Sequence, residues 1–535
     1  MIHQTLSTLI LIMINTSHTH RILVPIALIS FLSFASGLFA GNGEVVILHT
    51  NDIHGAFLPQ PAEWIESHPL IGGFAPLSGA LKTEQSENKA TLLLDAGDFM
   101  TGNPITTLKV HGALGGAMLD FFELLHYQAI TLGNHDFDEG VDNVLDLVKA
   151  SQVPIICANL WMVTPSTNTN KADLSVKSES NTLLTGEGWK IFKVGKVRVG
   201  VIGLTLERLN NMISKVTMKS LRVTPPAEEV QKLVTEIDPK TDVIVLLTHE
   251  GVDEDQELAK HISGVDVIVG GHSHTVIDTP LVVNNVIIVQ AGARCRYLGE
   301  LKLKVENDQV VQYSGRLIPL WADSLQPTTE AQALVQKYQE QLEQVYGGIL
   351  DTLDQDWKTS GQQESEVGDW LCDRLLEFGK GDFAVINSGG IRKSLLKGSI
   401  TEMDIKEMLP FSNRIVAFQC TGEQLLTLVN TNTYAEVSRK FEILQVSGLS
   451  YAIQKSSGKA TDIMVNGSPL DINQTYRGIS VDYVAVSQAN RYFGFTPTQT
   501  EDMEITFTDM IIQYMDLHGM KQKPPGGRIR WVGSN

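Results

Sequence analysis

Short apolar runs alternate with longer amphipathic stretches through most of the chain. Residues 45–49 (VVILH), 91–97 (TLLLDAG), 129–133 (AITLG), 153–160 (VPIICANL), 197–204 (VRVGVIGL), 242–249 (DVIVLLTH) and 265–271 (VDVIVGG) read as buried strands. Between them, 115–127 (GGAMLDFFELLHY) and 141–150 (VDNVLDLVKA) place apolar side chains at helical spacing. Strands that alternate with helices predict an α/β architecture. Residues 164–182 (TPSTNTNKADLSVKSESNT) carry neither period and read as an exposed loop.

The rhythm breaks near residue 323. Residues 328–350 (TTEAQALVQKYQEQLEQVYGGIL) are polar with helical periodicity and close on a Gly-Gly pair, the pattern of a connecting helix. Alternation then resumes, as in FAVINSGGIR (383–392) and YRGISVDYVAV (476–486). At 535 residues the chain exceeds the ~250–300 at which one hydrophobic core stops growing. Two domains are therefore expected, 41–325 and 356–535, joined by a linker helix within 326–355.

Charge and cysteines narrow the partners. A net charge of −19 opposes a nucleic-acid polymer as ligand, because affinity there comes from Lys and Arg on phosphates. A small anionic substrate would need local cations. Residues 22–40 (ILVPIALISFLSFASGLFA) follow Arg21 and end in small residues, the pattern of a secretory signal peptide. Residues 1–40 thus read as a leader, and the mature chain as secreted or periplasmic with no membrane span. The alternative is an uncleaved anchor, since the run approaches the ~20 residues that cross a bilayer. Cys157, Cys295, Cys372 and Cys420 are far apart without CxxC spacing, so buried free thiols are expected rather than a zinc knuckle.

Five of the predicted strands end in the same kind of residue. VVILH runs into Asp52 and His54, TLLL into Asp95 and Asp98, AITLG into Asn134, His135, Asp136 and Asp138. VIVLLT runs into His249 and Glu250, and VDVIVGG into His272 and His274. A lone histidine or aspartate at a strand end is usually a hydrogen-bonded structural residue or a turn former. Five such exits are different, because open α/β sheets gather ligands at the carboxyl ends of their strands. Gathered there unpaired, these side chains would carry a heavy desolvation and repulsion cost, which metal ions remove. Imidazole, carboxylate and amide oxygen without thiolate suit Zn, Mn, Fe or Co. There are too many candidates for one ion, and a two-metal centre performs phosphoryl-ester hydrolysis.

These blocks resemble known ones. Asp52-x-His54, Gly97-Asp98, Gly133-Asn-His-Asp136, Thr248-His249 and Gly271-His-Ser-His274 look like the five signature blocks of the calcineurin-like metallophosphoesterases. HTNDIHG together with GNHDFDEG resembles the secreted 5′-nucleotidase family, which includes the periplasmic UDP-sugar hydrolases, over nearly all of residues 44–535. The resemblance implies a metallophosphoesterase β-sandwich flanked by helices (αββα), a linker helix and a smaller α/β substrate-binding domain. It implies two divalent ions, Zn, Mn or Co: one held by Asp52, His54, Asp98 and His274, the other by Asp98, Asn134, His249 and His272. His135, oriented by Asp138, would stabilise charge on the phosphoryl group or leaving oxygen, and Asp136 would shape the loop.

In the second half, Asn387, Gly389, Gly390 and Arg392 of NSGGIR, Phe411 and Asn413 of LPFSNR, and Tyr483 match the family's nucleoside pocket. Two departures stand out. Gln363 or Glu364 falls where the family has an arginine, and SQANRYFG (487–494) replaces a GGDGY-like loop, with Arg491 as a local cation. The expectation is a nucleotide-hydrolysing metalloenzyme. Alternatives on the same scaffold are a 2′,3′-cyclic-nucleotide phosphodiesterase/3′-nucleotidase or a UDP-sugar hydrolase. From a different class comes a binding or adhesion module with a vestigial site.

Overall fold

The alternation within strand Gly43–Thr50 generates the layers. In this computed structural model, which describes residues 41–163, 182–438, 442–520 and 523–533, Val45 and Ile47 enter one core while Val46 and Leu48 enter another. Successive strand side chains point to opposite faces, so one strand feeds two cores. Val45 and Ile47, with Leu92, Leu94, Leu301 and Leu303, pack on Val199, Val201, Val245 and Leu247 of a second sheet. Val46, Leu48 and Leu93 pack on Phe74, Leu77, Phe121, Phe122, Val144 and Leu147 of three helices, Phe74–Glu87, Gly116–Leu124 and Gly140–Ala150. On the far side, Ile202, Leu204, Ile244 and Leu246 meet Val230, Val234 and Ile237 of helix Pro226–Ile237. The result is helix, sheet, sheet, helix.

The first sheet runs in the order Val310–Pro319, Tyr297–Val305, Gly43–Thr50, Thr91–Asp95, Ala129–Ile130. The second runs Trp189–Val194, Val197–Thr205, Val243–His249, Val267–Val269, Val286–Val289, Leu281–Val283. Gly43–Thr50 is parallel to Thr91–Asp95, and Val243–His249 is parallel to both its neighbours. Parallel pairing brings the carboxyl ends to one edge.

A separate core, drawn from residues between Leu353 and Ile529, builds the C-terminal part around the sheet Leu444–Ser447, Phe383–Asn387, Thr475–Val481, Arg414–Thr421, Thr500–Thr506. The polar helix forms over Thr329–Tyr346, capped by Thr328, and buries Val335, Tyr338 and Leu342 in the N-terminal core.

Three expectations are corrected. Residues 153–159 are not a strand. Pro154 has no N–H to give, and Ile156, Cys157 and Ala158 donate to Ile130, Glu187 and Gly203 instead, so this buried segment threads between the sheets. The strand begins only at Leu160. Residues 131–133 leave the ladder, which stops at Ile130. The connecting helix stops at Tyr346, and Ile349–Leu353 pairs instead with Gly398–Thr401. The leader and residues 164–181 of the predicted loop lie outside the described residues, and Thr182 is in a short strand. Among the described residues no helix is long and apolar enough to cross a membrane, and all four cysteines are buried and unpaired.

Candidate metal centre and substrate cleft

Backbone pairing zips two of the strand exits together. Past the parallel strands Gly43–Thr50 and Thr91–Asp95, Ala96 donates to the Thr50 carbonyl at 3.0 Å, Asp52 to Gly97 at 2.9 Å and His54 to Asp98 at 2.9 Å. This holds Asp52, His54 and Asp98 side by side. From the second sheet, His249 ends strand Val243–His249, and His272 and His274 follow Val267–Val269. The backbone is bent to do this: Asp52 (φ 50°), His54 (51°), Asp98 (56°), His272 (71°) and His274 (54°) are all left-handed. Such conformations cost roughly 1–3 kcal/mol each and cluster at functional sites. Five of them in one crevice is strain without a folding purpose.

The side chains converge as two groups, Asp52/His54/His274 and Asp98/His249/His272, the ligand atoms of each lying within 4.8 Å of one another. His274 Nε2 is 3.3 Å from Asp52 Oδ1 and 3.1 Å from His54 Nε2. Asp98 Oδ2 lies between the groups, 3.1 Å from His249 Nε2 and 3.9 Å from His54 Nε2. Asn134 is nearly fully buried beside them.

Hydrogen bonds behind the rings fix which nitrogen faces inward. His249 Nδ1 lies 2.6 Å from the Ala96 carbonyl, and His54 Nδ1 lies 2.9 Å from that of Thr101. A carbonyl only accepts, so both rings carry a proton on Nδ1 and turn Nε2 to the centre, as metal-ligating histidines do. His249 Nε2 and Asn134 Oδ1 are buried without a hydrogen-bond partner. Buried orphans of that kind are rare, and a cation would satisfy both. Asn51 steadies Asp52, donating Nδ2–H to its Oδ2 at 2.7 Å.

The charges agree. Burial holds His54 well below its ordinary pKa and His272 at about 4, so both rings are neutral donors of a lone pair. Burial also opposes charge on His249, but the Asp98 and Asp52 carboxylates outweigh it and lift the ring to about 10. Burial disfavours an ionised Asp52 too, and His274 and His249 nevertheless draw it down to about 2. Ionised carboxylates that demand a positive partner, facing neutral imidazoles, form a donor set that fits divalent cations.

The next exit is short, the one-turn helix His135–Phe137. His135 Nδ1 sits 2.8 Å from Asp138 Oδ2. Burial pulls against a charged His135, but Asp138 and Asp98 raise its pKa overall. Asp136 points the other way. Its carboxylate accepts the backbone N–H groups of Gly133 (2.7 Å), Asp98 (3.0 Å), Phe99 (3.1 Å) and Met100 (3.1 Å), clasping two site loops.

Opposite lies the C-terminal part, across a cleft of ≈ 470 Å³. Asn387, Gly389, Gly390, Arg392, Phe411, Asn413 and Tyr483 line it, facing His135, Asn134, Asp138 and His272. The Phe411 ring is 5.5 Å from that of His135, and the Arg392 guanidinium is 5.9 Å from the Phe411 ring. Met212, Ile213, Ser214 and Thr217 form a wall for which no sequence motif gave a signal. Glu364 is not in the cleft: its carboxylate accepts the backbone N–H of Arg528 and Ile529, so it ties down the C-terminal strand. Arg491 does line the cleft, beside Glu442, a residue the sequence reading passed over.

Two packed sheets with a histidine- and carboxylate-rich crevice at their strand ends define a calcineurin-like phosphoesterase fold. The family described as calcineurin-like phosphoesterase matches residues 45–276, and that described as 5′-nucleotidase, C-terminal domain, matches residues 346–494. Residues 45–276 and 346–494 thus carry, in that order, the two domains that such phosphoesterases join. The chain is 26% identical over 499 residues to Endonuclease YhcR of Bacillus subtilis, covering 86% of this chain and 39% of that one. It is 27% identical over 490 residues to a 5′-nucleotidase of Vibrio vulnificus, covering 81% and 83%. It thus spans well under half of YhcR but most of the Vibrio protein. The crystal structure of a 5′-nucleotidase precursor from Thermus thermophilus superposes with a TM-score of 0.78 at 25% identity, covering 92% of this chain and all of that one.

Proposed function

We propose that this chain hydrolyses phosphate esters of nucleotides with two divalent cations, Zn, Mn or Co, in the manner of a 5′-nucleotidase. One observation carries the reading: two three-residue ligand groups lie side by side, Asp98 of one 3.9 Å from His54 of the other, and His249 Nε2 and Asn134 Oδ1 are buried without a hydrogen-bond partner. Asp52, His54, Asp98 and His274 would hold the first ion, and Asp98, Asn134, His249 and His272 would hold the second. When bound, such a pair lowers the pKa of a water and neutralises charge on the phosphoryl oxygens.

The chain's own residues do the rest. Asp138 fixes the His135 ring through Nδ1, leaving Nε2 as the donor toward the phosphoryl group or leaving oxygen. Arg392, half-buried in the lining of the cleft, offers a planar fork for phosphate or ribose oxygens. Phe411 and Tyr483 offer stacking faces to a base, with the Asn413 amide at its edge. Residues 41–325 do the chemistry, residues 356–535 recognise the nucleoside, and the 22–40 run supports a secreted or periplasmic location.

Assaying the metal-loaded protein on AMP, UDP-glucose, 2′,3′-cyclic AMP and p-nitrophenyl phosphate tests this. AMP should be cleaved fastest of the nucleotides. Faster cleavage of UDP-glucose or the cyclic nucleotide assigns the chain to those activities instead, and no cleavage of any ester assigns it to a vestigial binding module.

A further inference from the structure

The cleft holds a carboxylate that phosphate chemistry does not explain. Glu442 lines it beside Asn387, Gly389 and Tyr483, with a side chain 21% exposed. A phosphate ester is an anion. At about 8 Å two negative charges repel by roughly 2 kcal/mol at an effective dielectric of 20, so a carboxylate here weakens binding unless the ligand gives it something back.

What it lacks can be counted. A carboxylate accepts about four hydrogen bonds. Tyr492 donates its hydroxyl to Oε1, and Asn387 donates Nδ2–H to Oε2 at 3.3 Å. The Arg491 guanidinium, 3.8 Å from Oε1, is an ion-pair partner beyond hydrogen-bonding reach. Acceptor capacity therefore remains. Asn387 is 4% exposed, and its Oδ1 has no donor at all. A carboxylate with acceptor capacity to spare and an amide oxygen with no donor thus share one wall of the cleft. Gly389 keeps that wall open, because a Cβ there would overlap Glu442 Oε2. The glycine in NSGGIR is thus explained by the carboxylate behind it.

We propose that Glu442, with Asn387 Oδ1 beside it, binds hydrogen-bond donors on the leaving group and so selects substrates that carry hydroxyl or amino groups there. The proposal rests on the nucleotide reading above. Sugar hydroxyls and a base amino group share this chemistry, and the substrates distinguish them. The test measures kcat/KM for AMP, 2′,3′-dideoxy-AMP (no sugar diol) and purine riboside 5′-monophosphate (no base amine), on wild type, Glu442→Gln and Tyr492→Phe, with metal content and Tm recorded for each. Wild type should prefer AMP about ten- to a hundredfold over one analogue, the loss of one hydrogen bond to a charged acceptor. That analogue names the donor.

Glu442→Gln should bring the ratio toward one, because the amide replaces one acceptor oxygen with a donor and removes the charge that strengthens the other. Tyr492→Phe, which keeps the carboxylate, should preserve the ratio. If Glu442 only braces Tyr492, both variants will lower all substrates alike with the ratio unchanged, and the proposal falls. Equal rates on AMP and both analogues in wild type also overturn it while leaving the nucleotidase reading intact. Hydrolysis of p-nitrophenyl phosphate but of no nucleotide overturns both.

Discussion

Adding one methyl group at Gly133 should disable the metal centre. A Cβ on this residue would overlap Asp98 Oδ1 and stand 2.6 Å from His249 Nε2, the ring atom proposed to hold the second ion. Gly133 is not among the positive-φ residues, so alanine fits the backbone and the effect is purely steric. The loop cannot retreat, because the Gly133 N–H is bound to Asp136 Oδ2 at 2.7 Å. Relief requires Asp98 and His249 to move by about 1 Å, whereas metal–ligand distances tolerate only ~0.2 Å. A displacement of about 1 Å at a reacting site costs on the order of 10²-fold in rate. Overpacking costs a further ~1–3 kcal/mol of stability. Gly133→Ala should therefore bind fewer than two ions per chain by elemental analysis and lose about 10²-fold in turnover of p-nitrophenyl phosphate. Gly140→Ala is the control: its φ of +85° strains the backbone, but nothing lies within 4 Å of the new Cβ, so Tm should fall and metal content stay. Gly133→Ala with two ions and wild-type turnover would refute the placement of Asp98 and His249.

His135→Ala should cut turnover severely with metal content near normal, whereas His249→Ala should lose metal; equal metal loss in both would erase the division of roles. Phe411→Ala should impair AMP hydrolysis more than p-nitrophenyl phosphate hydrolysis, and equal losses would remove the stacking claim. Asp136→Ala strands four buried backbone N–H groups and should destabilise the protein by about 3 kcal/mol or more, read from denaturant melts; an unchanged midpoint would show that the clasp is dispensable. Chelation should lower Tm, because a ligand at a hundred times its Kd stabilises by about 2.7 kcal/mol. A Tm insensitive to chelator would mean that the folded chain holds no metal.

The layers and the candidate metal-ligand groups were legible in the sequence for one reason. A parallel strand buried on both faces must be apolar throughout, so His249 or Asp98 at its exit stands out, and parallel pairing brings the exits together without further information. Residues 153–160 show the limit of that logic. A segment threaded between two sheets is as apolar as a strand, and only Pro154 and the partners of Ile156, Cys157 and Ala158 reveal the difference. The connecting helix was legible in kind but not at its end, since Ile349–Leu353 leaves the helix to pair with a strand nearly fifty residues on. Asp136 sits inside the most chemically loaded motif of the chain, yet it serves the backbone, as its loop-forming residue type suggests. Glu442 had no signal. It precedes strand Leu444–Ser447 in an ordinary stretch, and only the fold brings it to Gly389 and Asn387. The left-handed backbone of Asp52, His54, Asp98, His272 and His274 was equally hidden, because φ values of non-glycine residues leave no mark on sequence.

The central claim is that Asp98 stands between two cations. Anomalous diffraction at the manganese edge, from crystals of the Mn-loaded protein, tests it directly. The account predicts two peaks about 3.5–4 Å apart with Asp98 in contact with both. A single peak, or a pair that does not share Asp98, would contradict it.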